Sequence, residues 1–339
     1  MLEKPKLPDD RIKAHMLNAY GLHVTQIEFL PIGADHNTAV YHLISDGSTS
    51  FFLKLRRGVF KEISVALPKY LSDQGIAQII APIPAQNDML WTNMDAYKLI
   101  LYAYIQGYNA YEVPLMDHHW RIFGTALKGI HTITVPEALL RYIRKERYSP
   151  QWRNITLAYL KYIEVDEFND PVSAELAEFL RSEQDQILKL IRRTEKLAEA
   201  LHKRALELVL CHSDLHAGNI LLGVDDTLYL VDWDDPIMAP KERDLMYIGG
   251  GLVGAWIPPQ EEENRFYQAY GQMQIDPIAL AYYRYERIIE DIAVFCQEIF
   301  QSNTSGQNRK QSLIYLKSNF LPNGTIEIAY QTDRSHNGV

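Results

Sequence analysis

One short part of the chain combines residue types that can carry out phosphoryl transfer. His212, Asp214 and Asn219 form the pattern His-x-Asp-x-x-x-x-Asn, and Asp232 follows thirteen positions after Asn219. Because the transferred group is highly anionic, this reaction needs positioned cations and a carboxylate at the acceptor hydroxyl. Asn219 and Asp232 offer the hard oxygen ligands that Mg²⁺ prefers. Asp214 fits the catalytic base, and we expect His212 to brace the loop that carries it.

The same loop allows other interpretations. His212, Asp214 and His216 are three possible zinc ligands on one loop, as in a metal-dependent hydrolase. Such a site usually needs further ligands from other loops, and the pair at 118–119 lies at the start of what looks like an ordinary amphipathic helix. A non-catalytic nucleotide-binding module is a third interpretation. It is disfavoured because every position for a base or a metal ligand is filled.

A cation for the nucleotide phosphates is expected upstream of this loop. Lys54 is a charged residue inside the apolar run at 51–55, and Glu62 stands at the start of the following helix. In kinases an ion pair of this kind holds the lysine against the phosphates. The alternatives are a solvated lysine on an edge strand and a first-turn glutamate favoured by the helix dipole. The downstream loop favours the phosphate-binding interpretation of Lys54.

The elements that would position these residues differ in periodicity along the chain. Apolar alternation and turn signals predict a β-rich first region: a helix at about 8–20, strands near 22–30, 38–45, 50–56, 79–84 and 97–104, and a helix at about 60–74. Helical spacing predominates from about residue 107 onward, as at 120–131 and 174–208. Short apolar runs at 208–211 and 228–231 read as strands that end in the polar clusters described above.

These regions predict an α+β chain with a small N-lobe and a larger, mainly helical C-lobe. We place the boundary between the lobes after residue 105 and assign nucleotide binding to residues 1–105. The catalytic loop, the magnesium ligands and the acceptor pocket fall in residues 106–339.

Composition narrows the classes of function. The 339 residues carry a formal net charge of -9, which argues against a broad nucleic-acid surface and is compatible with a small cationic substrate. Two cysteines are too few for a disulfide framework, so we expect a reducing, cytoplasmic compartment. We see no apolar leader and no stretch long enough to span a membrane. We expect no membrane association, and nothing indicates an obligate protein partner.

The catalytic loop and Asp232 make the sequence resemble the aminoglycoside phosphotransferase family. The similarity extends over nearly the whole chain and includes residues 33–35, 148–150, 211–219, 239–246 and 286–293. It implies a two-lobed protein-kinase-like fold with ATP bound in the interlobe cleft. It further implies Asp214 as base, Asn219 and Asp232 as Mg²⁺ ligands, and Lys54 with Glu62 at the phosphates.

The resemblance also makes predictions for nucleotide binding that go beyond the catalytic loop. The backbone of Ala103 and Ile105, in the implied hinge, would hydrogen-bond adenine. The expected phosphate loop at 33–38 lacks the Gly-x-Gly-x-x-Gly pattern of protein kinases. The missing glycine pattern weakens the interpretation as a protein kinase more than the interpretation as a small-molecule kinase.

For the acceptor, the resemblance points to an aminocyclitol antibiotic, with spectinomycin as the expected substrate and antibiotic inactivation as the outcome. Carboxylates lower the desolvation cost of binding its amines. The candidate contacts are Asp234, Tyr282, Glu286 and Glu290. A solvated helix face is an equal alternative for the two glutamates. Another aminoglycoside, a macrolide, choline, homoserine or methylthioribose would fit the catalytic loop equally well.

Overall fold

The computed structural model describes residues 4–32, 37–165, 168–254, 256–271, 274–301 and 306–334. The expected phosphate loop therefore lies mostly outside the described residues, at 33–36. The chain groups into two compact units. The first comprises Met1–Ile143 and Ala217–Pro236, and the second comprises Arg144–His216 and Ile237–Val339. The lobe boundary expected at residue 105 stays a prediction.

Short strands are found in both units. In chain order they are β1 (Val24–Leu30), β2 (Thr38–Ser45), β3 (Ser50–Arg57), β4 (Thr92–Met94), β5 (Tyr97–Ala103), β6 (Gly107–Asn109), β7 (Arg144–Lys145), β8 (Val209–Cys211), β9 (Ile220–Gly223), β10 (Leu228–Leu230) and β11 (Ile237–Ala239).

The helices are concentrated in the second unit. In chain order they are α1 (Asp9–Tyr20), α2 (Ile63–Asp73), α3 (Asp117–Thr132), α4 (Glu137–Leu140), α5 (Gln151–Val165), α6 (Pro171–Ser182), α7 (Gln184–His202), α8 (Glu242–Leu245), α9 (Pro259–Tyr270), α10 (Pro277–Gln301), α11 (Gly306–Ser318) and α12 (Thr325–Arg334). None of these described helices is both long enough and apolar enough to cross a membrane.

The first unit is built on an antiparallel sheet with the strand order β1-β2-β3-β5-β4. Ile12 and Met16 of α1 pack into the apolar core on this sheet. The strand β3 lies in the middle of the sheet, where Lys54 pairs in register with Val40 and Ile100. Lys54 is therefore not on an edge strand, and its side chain is only 15% exposed.

A second, smaller sheet in the same unit has the order β10-β9-β6. The one-turn 3₁₀ helix Ala217–Asn219 leads directly into β9. The N–H group of Ala110 bonds the carbonyl groups of both Ala217 and Ile220, each at 3.0 Å. These bonds fix the turn that carries Asn219.

The second unit is organised around α10, a helix of 25 residues that packs against α5, α6, α7, α8, α11 and α12. Every residue from Ala279 to Glu286 is buried, as expected for a helical segment enclosed by others, whereas the buried residues from Ile288 to Ile299 recur on one face. The same unit contains a small sheet with the order β7-β11-β8. Its strand β8 ends at Cys211, directly before the catalytic loop.

Two predicted elements are wrong. Residues 79–84 form no strand, because Pro82 and Pro84 have no N–H group to donate and only Ile83 bridges to Leu101. The helical stretch expected at 174–208 is divided into α6 and α7. The break lies at Glu183, whose ψ of 5° is not a helical value. Just before it, the hydroxyl of Ser182 donates a hydrogen bond to the carbonyl of Phe179 and so competes with the helical backbone bonds.

Candidate active site

The loop that carries Asp214 is held in a strained backbone conformation. Ser213 has a φ of 76°, which is unfavourable for a residue with a side chain. The fully buried carboxylate of Asp244 accepts hydrogen bonds from the N–H groups of His212, at 2.8 Å, and Ser213, at 2.7 Å. These two charge-assisted bonds hold the strained conformation and so define where Asp214 lies.

The carboxylate of Asp214 is 42% exposed and is contacted by side chains of the same unit. Arg287 Nη1 donates to Oδ1 at 2.6 Å, and the hydroxyl of Tyr247 donates to the same oxygen at 3.3 Å. His216 Nε2 lies 3.6 Å from Oδ2. Partial burial alone would raise the pKa of Asp214, but the nearby His216 imidazole and the Arg287 charge hold this pKa well below its usual range. The group is therefore ionised at neutral pH.

His212 is placed as a support for this loop. Its side chain is buried, and its Nδ1 accepts the N–H of Asp214 at 3.3 Å. The described residues that gather three possible metal ligands do not include His212, Asp214 and His216 as one set. The zinc interpretation therefore gains no support from the geometry.

The first unit contains a cluster of candidate residues of its own, centred on Lys54. Its Nζ lies 3.1 Å from Oδ1 of Asp232 and 3.0 Å from Oδ2 of Asp234. Arg56 also contacts Asp234, at 2.7 Å. Burial would lower the pKa of Lys54, but the carboxylates of Asp232 and Asp234 outweigh it and raise the pKa above its usual value. Lys54 thus stays charged, as a ligand of phosphate must.

Asn219 and Asp232 are joined through the backbone, because the N–H of Val231 donates to the carbonyl of Asn219 at 3.0 Å. Asp232 has a φ of 66°, a second strained residue of the kind that clusters at functional sites. An amide oxygen and a carboxylate on two adjacent segments are suitable donors for Mg²⁺. The donor set therefore fits this ion.

The pairing expected between Lys54 and Glu62 is not formed. Glu62 is exposed at the N-terminus of α2, and within the described residues no ion pair joins it to Lys54. The two aspartates already hold the ammonium group. In the expected hinge, Ala103 is the last residue of β5, and no backbone hydrogen bond of Ile105 is found in the described part of the chain.

The candidate acceptor residues occupy unequal environments. Asp234 is bonded to Lys54 and Arg56. Glu286 is buried in an ion pair with Arg153. Tyr282 is 2% exposed and packs edge-on against Tyr148. Glu290 is 23% exposed and lies 3.9 Å from Arg243. Glu286 and Glu290 therefore do not form one solvated helix face. Of these two glutamates, only Glu290 keeps appreciable access to solvent.

A His-His-Asp cluster outside the predicted site joins α3 to the turn between β9 and β10. The Nε2 atoms of His118 and His119 each lie 2.8 Å from an oxygen of Asp226. His119 Nδ1 accepts the N–H of Met116 at 3.1 Å, so a neutral His119 carries its proton on Nε2. The cluster therefore links the start of α3 to the turn between β9 and β10 through hydrogen bonds.

Comparison with known proteins decides the family. The sequence model of the phosphotransferase enzyme family matches residues 28–285, more than half of the chain. The chain belongs to this family. None of the curated proteins matches the sequence.

Solved structures show similarity to known phosphotransferases over nearly the whole chain. A spectinomycin phosphotransferase in complex with ADP and spectinomycin is 37% identical, with a TM-score of 0.90 over 98% of this chain and all of that one. An AMP complex of spectinomycin phosphotransferase is 36% identical, with a TM-score of 0.85 over 96% of this chain and 98% of that one. These similarities identify the chain as an aminoglycoside-type phosphotransferase that uses ATP.

A more distant structure shows the fold alone. The ethanolamine kinase of Plasmodium vivax is 18% identical, with a TM-score of 0.58 over 95% of this chain and 89% of that one. The kinase-like α+β fold, with a β-sheet N-terminal region and a helical C-terminal part, is thus confirmed.

Sequence reasoning missed several residues that hold the candidate site. Asp244, Tyr247 and Arg287 contact the Asp214 loop, and Arg56 contacts Asp234. Asp244 and Arg287 lie in segments that carried the family resemblance. Nothing in their local patterns identifies partners that are 31 or 73 positions away.

Proposed function

We propose that this phosphotransferase moves the γ-phosphate of ATP to a hydroxyl of spectinomycin and thereby inactivates the antibiotic. The observation that carries the proposal is the 37% identity and TM-score of 0.90 to a spectinomycin phosphotransferase over 98% of the chain. The negative charge of the chain and the acidic residues of the candidate site suit an acceptor that carries basic amines.

Asp214 is the proposed base. As the acceptor oxygen bonds to the γ-phosphorus, its proton passes to the Asp214 carboxylate, and the bond from phosphorus to the β-phosphate oxygen breaks with its electron pair leaving on ADP. The transition state of such transfers is loose, so the hydroxyl becomes acidic late in the reaction. A carboxylate of low pKa, which Asp214 is, is sufficient under these conditions if it is ionised and correctly oriented.

The nucleotide contacts come from the first unit in this proposal. Lys54 binds phosphate oxygens with its charged Nζ, exchanging part of its contact with Asp232 and Asp234. Asn219 and Asp232 hold Mg²⁺, which neutralises charge on the phosphates when bound. Ala103 and Ile105 present backbone groups to adenine. Glu62 remains a candidate nucleotide contact through its position at the start of α2.

The acceptor contacts follow from accessibility. Glu290 is the carboxylate on α10 that we propose for an acceptor amine, because 23% of its side chain is exposed and its ion pair with Arg243 is long, at 3.9 Å. Asp234 is a second candidate, since 31% of its side chain is exposed. Glu286 and Tyr282 support this region from the core. A different small alcohol remains the alternative acceptor.

An ADP-release assay across a panel of acceptors tests the proposal. Spectinomycin is the first acceptor, and choline, homoserine, methylthioribose, a macrolide and other aminoglycosides are the alternatives. We expect the wild-type protein to show its largest kcat/KM with spectinomycin. The Asp214→Asn variant should release no ADP when spectinomycin is the acceptor. If another alcohol were phosphorylated strongly and spectinomycin not at all, spectinomycin would be rejected as the acceptor, while the proposed phosphoryl transfer from ATP would stand.

A further inference from the structure

Arg287 is anchored on several sides beside Asp214. Its Nη1 donates to Asp214 Oδ1 at 2.6 Å and lies 2.9 Å from the hydroxyl of Tyr247, while its Nε donates to Asp291 at 2.9 Å. The guanidinium also lies 5.8 Å from the centre of the Tyr247 ring. A planar guanidinium fixed in this way can direct a carboxylate more strictly than a flexible ammonium group can.

The contacts form a closed triangle around one carboxylate oxygen. The hydroxyl of Tyr247 shares its one proton between two acceptors, the carbonyl oxygen of Ser213 at 3.0 Å and Asp214 Oδ1 at 3.3 Å. Arg287 in turn donates to Tyr247. Displacing the Asp214 carboxylate therefore breaks contacts on α10 and on the segment after α8 at the same time.

We infer that Arg287 is a positioning residue for the reaction, which keeps the Asp214 carboxylate oriented while Asp291 and Tyr247 hold Arg287 in place. This inference rests on the proposed role of Asp214 as the base. Arg287 itself does not exchange a proton with the acceptor.

The charges around Asp214 support a distinct role for Arg287. His216, on the same loop, contributes positive charge only when it is protonated, whereas a guanidinium is charged at every physiological pH. On α10, Asp291 repels the Asp214 carboxylate although it is paired with Arg287, and Glu290 interacts with Arg287 as well. Tyr247 is neutral, because burial raises its pKa well above the usual value. Among the described groups of its own unit that contact Asp214, Arg287 carries a permanent positive charge.

The inference separates two consequences of losing Arg287. Loss of orientation lowers kcat at every pH. Loss of charge lets the pKa of Asp214 rise, by about 1 to 3 pH units for the removal of a neighbouring arginine. A residue that only supports the fold would produce the first consequence without the second.

The test combines Arg287→Met with Arg287→Lys. The matched control is Arg192→Met, which removes an exposed arginine of α7 from the same unit. We would follow the Asp214 carboxyl carbon by ¹³C NMR as a function of pH, assigned by its absence in Asp214→Asn, and measure kcat/KM over the same pH range with the best acceptor.

For Arg287→Met we expect the carboxyl titration and the acidic limb of kcat/KM to move upward together by about 1 to 3 pH units, with kcat reduced about 10²-fold. Arg287→Lys should keep the limb low while reducing kcat, and Arg192→Met should match the wild type. An unchanged carboxyl titration in folded Arg287→Met would overturn the inference.

The two proposals fail in different ways. Full turnover by Asp214→Asn would reject Asp214 as base and with it the proposed mechanism, whatever the NMR titration shows. If Asp214→Asn is inactive but Arg287→Met has the wild-type titration and pH profile, only the role of Arg287 is rejected.

Discussion

Replacement of Asp244 should separate stability from catalysis in a measurable way. Its buried carboxylate accepts two backbone N–H groups, at 2.8 and 2.7 Å, and holds Ser213 at a φ of 76°. Hydrogen bonds to a charged group contribute about 1.5–3 kcal/mol each. Asp244→Asn keeps one oxygen acceptor but turns an amide group toward the other N–H. We therefore expect a loss of about 1.5–3 kcal/mol in the free energy of unfolding.

The catalytic effect should be as large as this loss of stability, since a 10²-fold lower rate corresponds to about 2.7 kcal/mol. With one bond lost, Ser213 can relax from its left-handed conformation, which costs about 1–3 kcal/mol to maintain. Relaxation moves Asp214, the next residue, and a displacement of about 1 Å can lower the rate about 10²-fold. Affinity for ATP should change little, because Lys54, Asn219 and Asp232 belong to the other unit.

Urea unfolding and ADP-release kinetics of the same preparations would measure both effects. Asp185→Asn is the control, since it changes an exposed aspartate in the first turn of α7 and should cost less than about 1 kcal/mol. If Asp244→Asn retained the wild-type free energy of unfolding and kcat within about threefold, the proposed support of the loop by Asp244 would be refuted.

Two further predictions concern charge. Lys54→Met should lower kcat/KM for ATP by about 10²-fold or more, while exposed Lys128→Met should not, and equal ATP kinetics in the two variants would contradict the role of Lys54. Glu262 is 1% exposed, and burial raises its pKa to about 7, from an ordinary value of 4.5, despite the Gly249 hydrogen bond. The folded state therefore retains a proton that the unfolded state has lost, so stability falls as pH rises between these values, by up to about 3 kcal/mol. In the Glu262→Gln variant, the free energy of unfolding should not show this fall with pH. If it fell in parallel with that of the wild type, the contribution of Glu262 would be excluded.

Local sequence patterns predicted most elements of the first unit because they depend on neighbouring residues. Apolar alternation placed β2 and β3 within a residue of their bounds, and the change to helical spacing marked α3. The pattern failed at 79–84, where apolar residues stand between prolines. It also failed at Glu183, where the apolar periodicity continues across the break between α6 and α7.

The candidate site was predictable where chemistry fixes residue type and spacing. His212, Asp214, Asn219 and Asp232 stood out because phosphoryl transfer requires a base and metal ligands on short loops. Contacts between distant segments were not visible. Glu286 has a spacing that suits a polar surface, yet it pairs with Arg153, 133 positions earlier.

The central claim is that Asp214 directs phosphoryl transfer from ATP to spectinomycin. Mass spectrometry of spectinomycin after incubation with ATP, Mg²⁺ and the protein tests it most directly, alongside Asp214→Asn. The account predicts spectinomycin carrying one added phosphoryl group with the wild type and none above background with the variant. Unmodified spectinomycin with the wild type, or equal modification by both proteins, would contradict it.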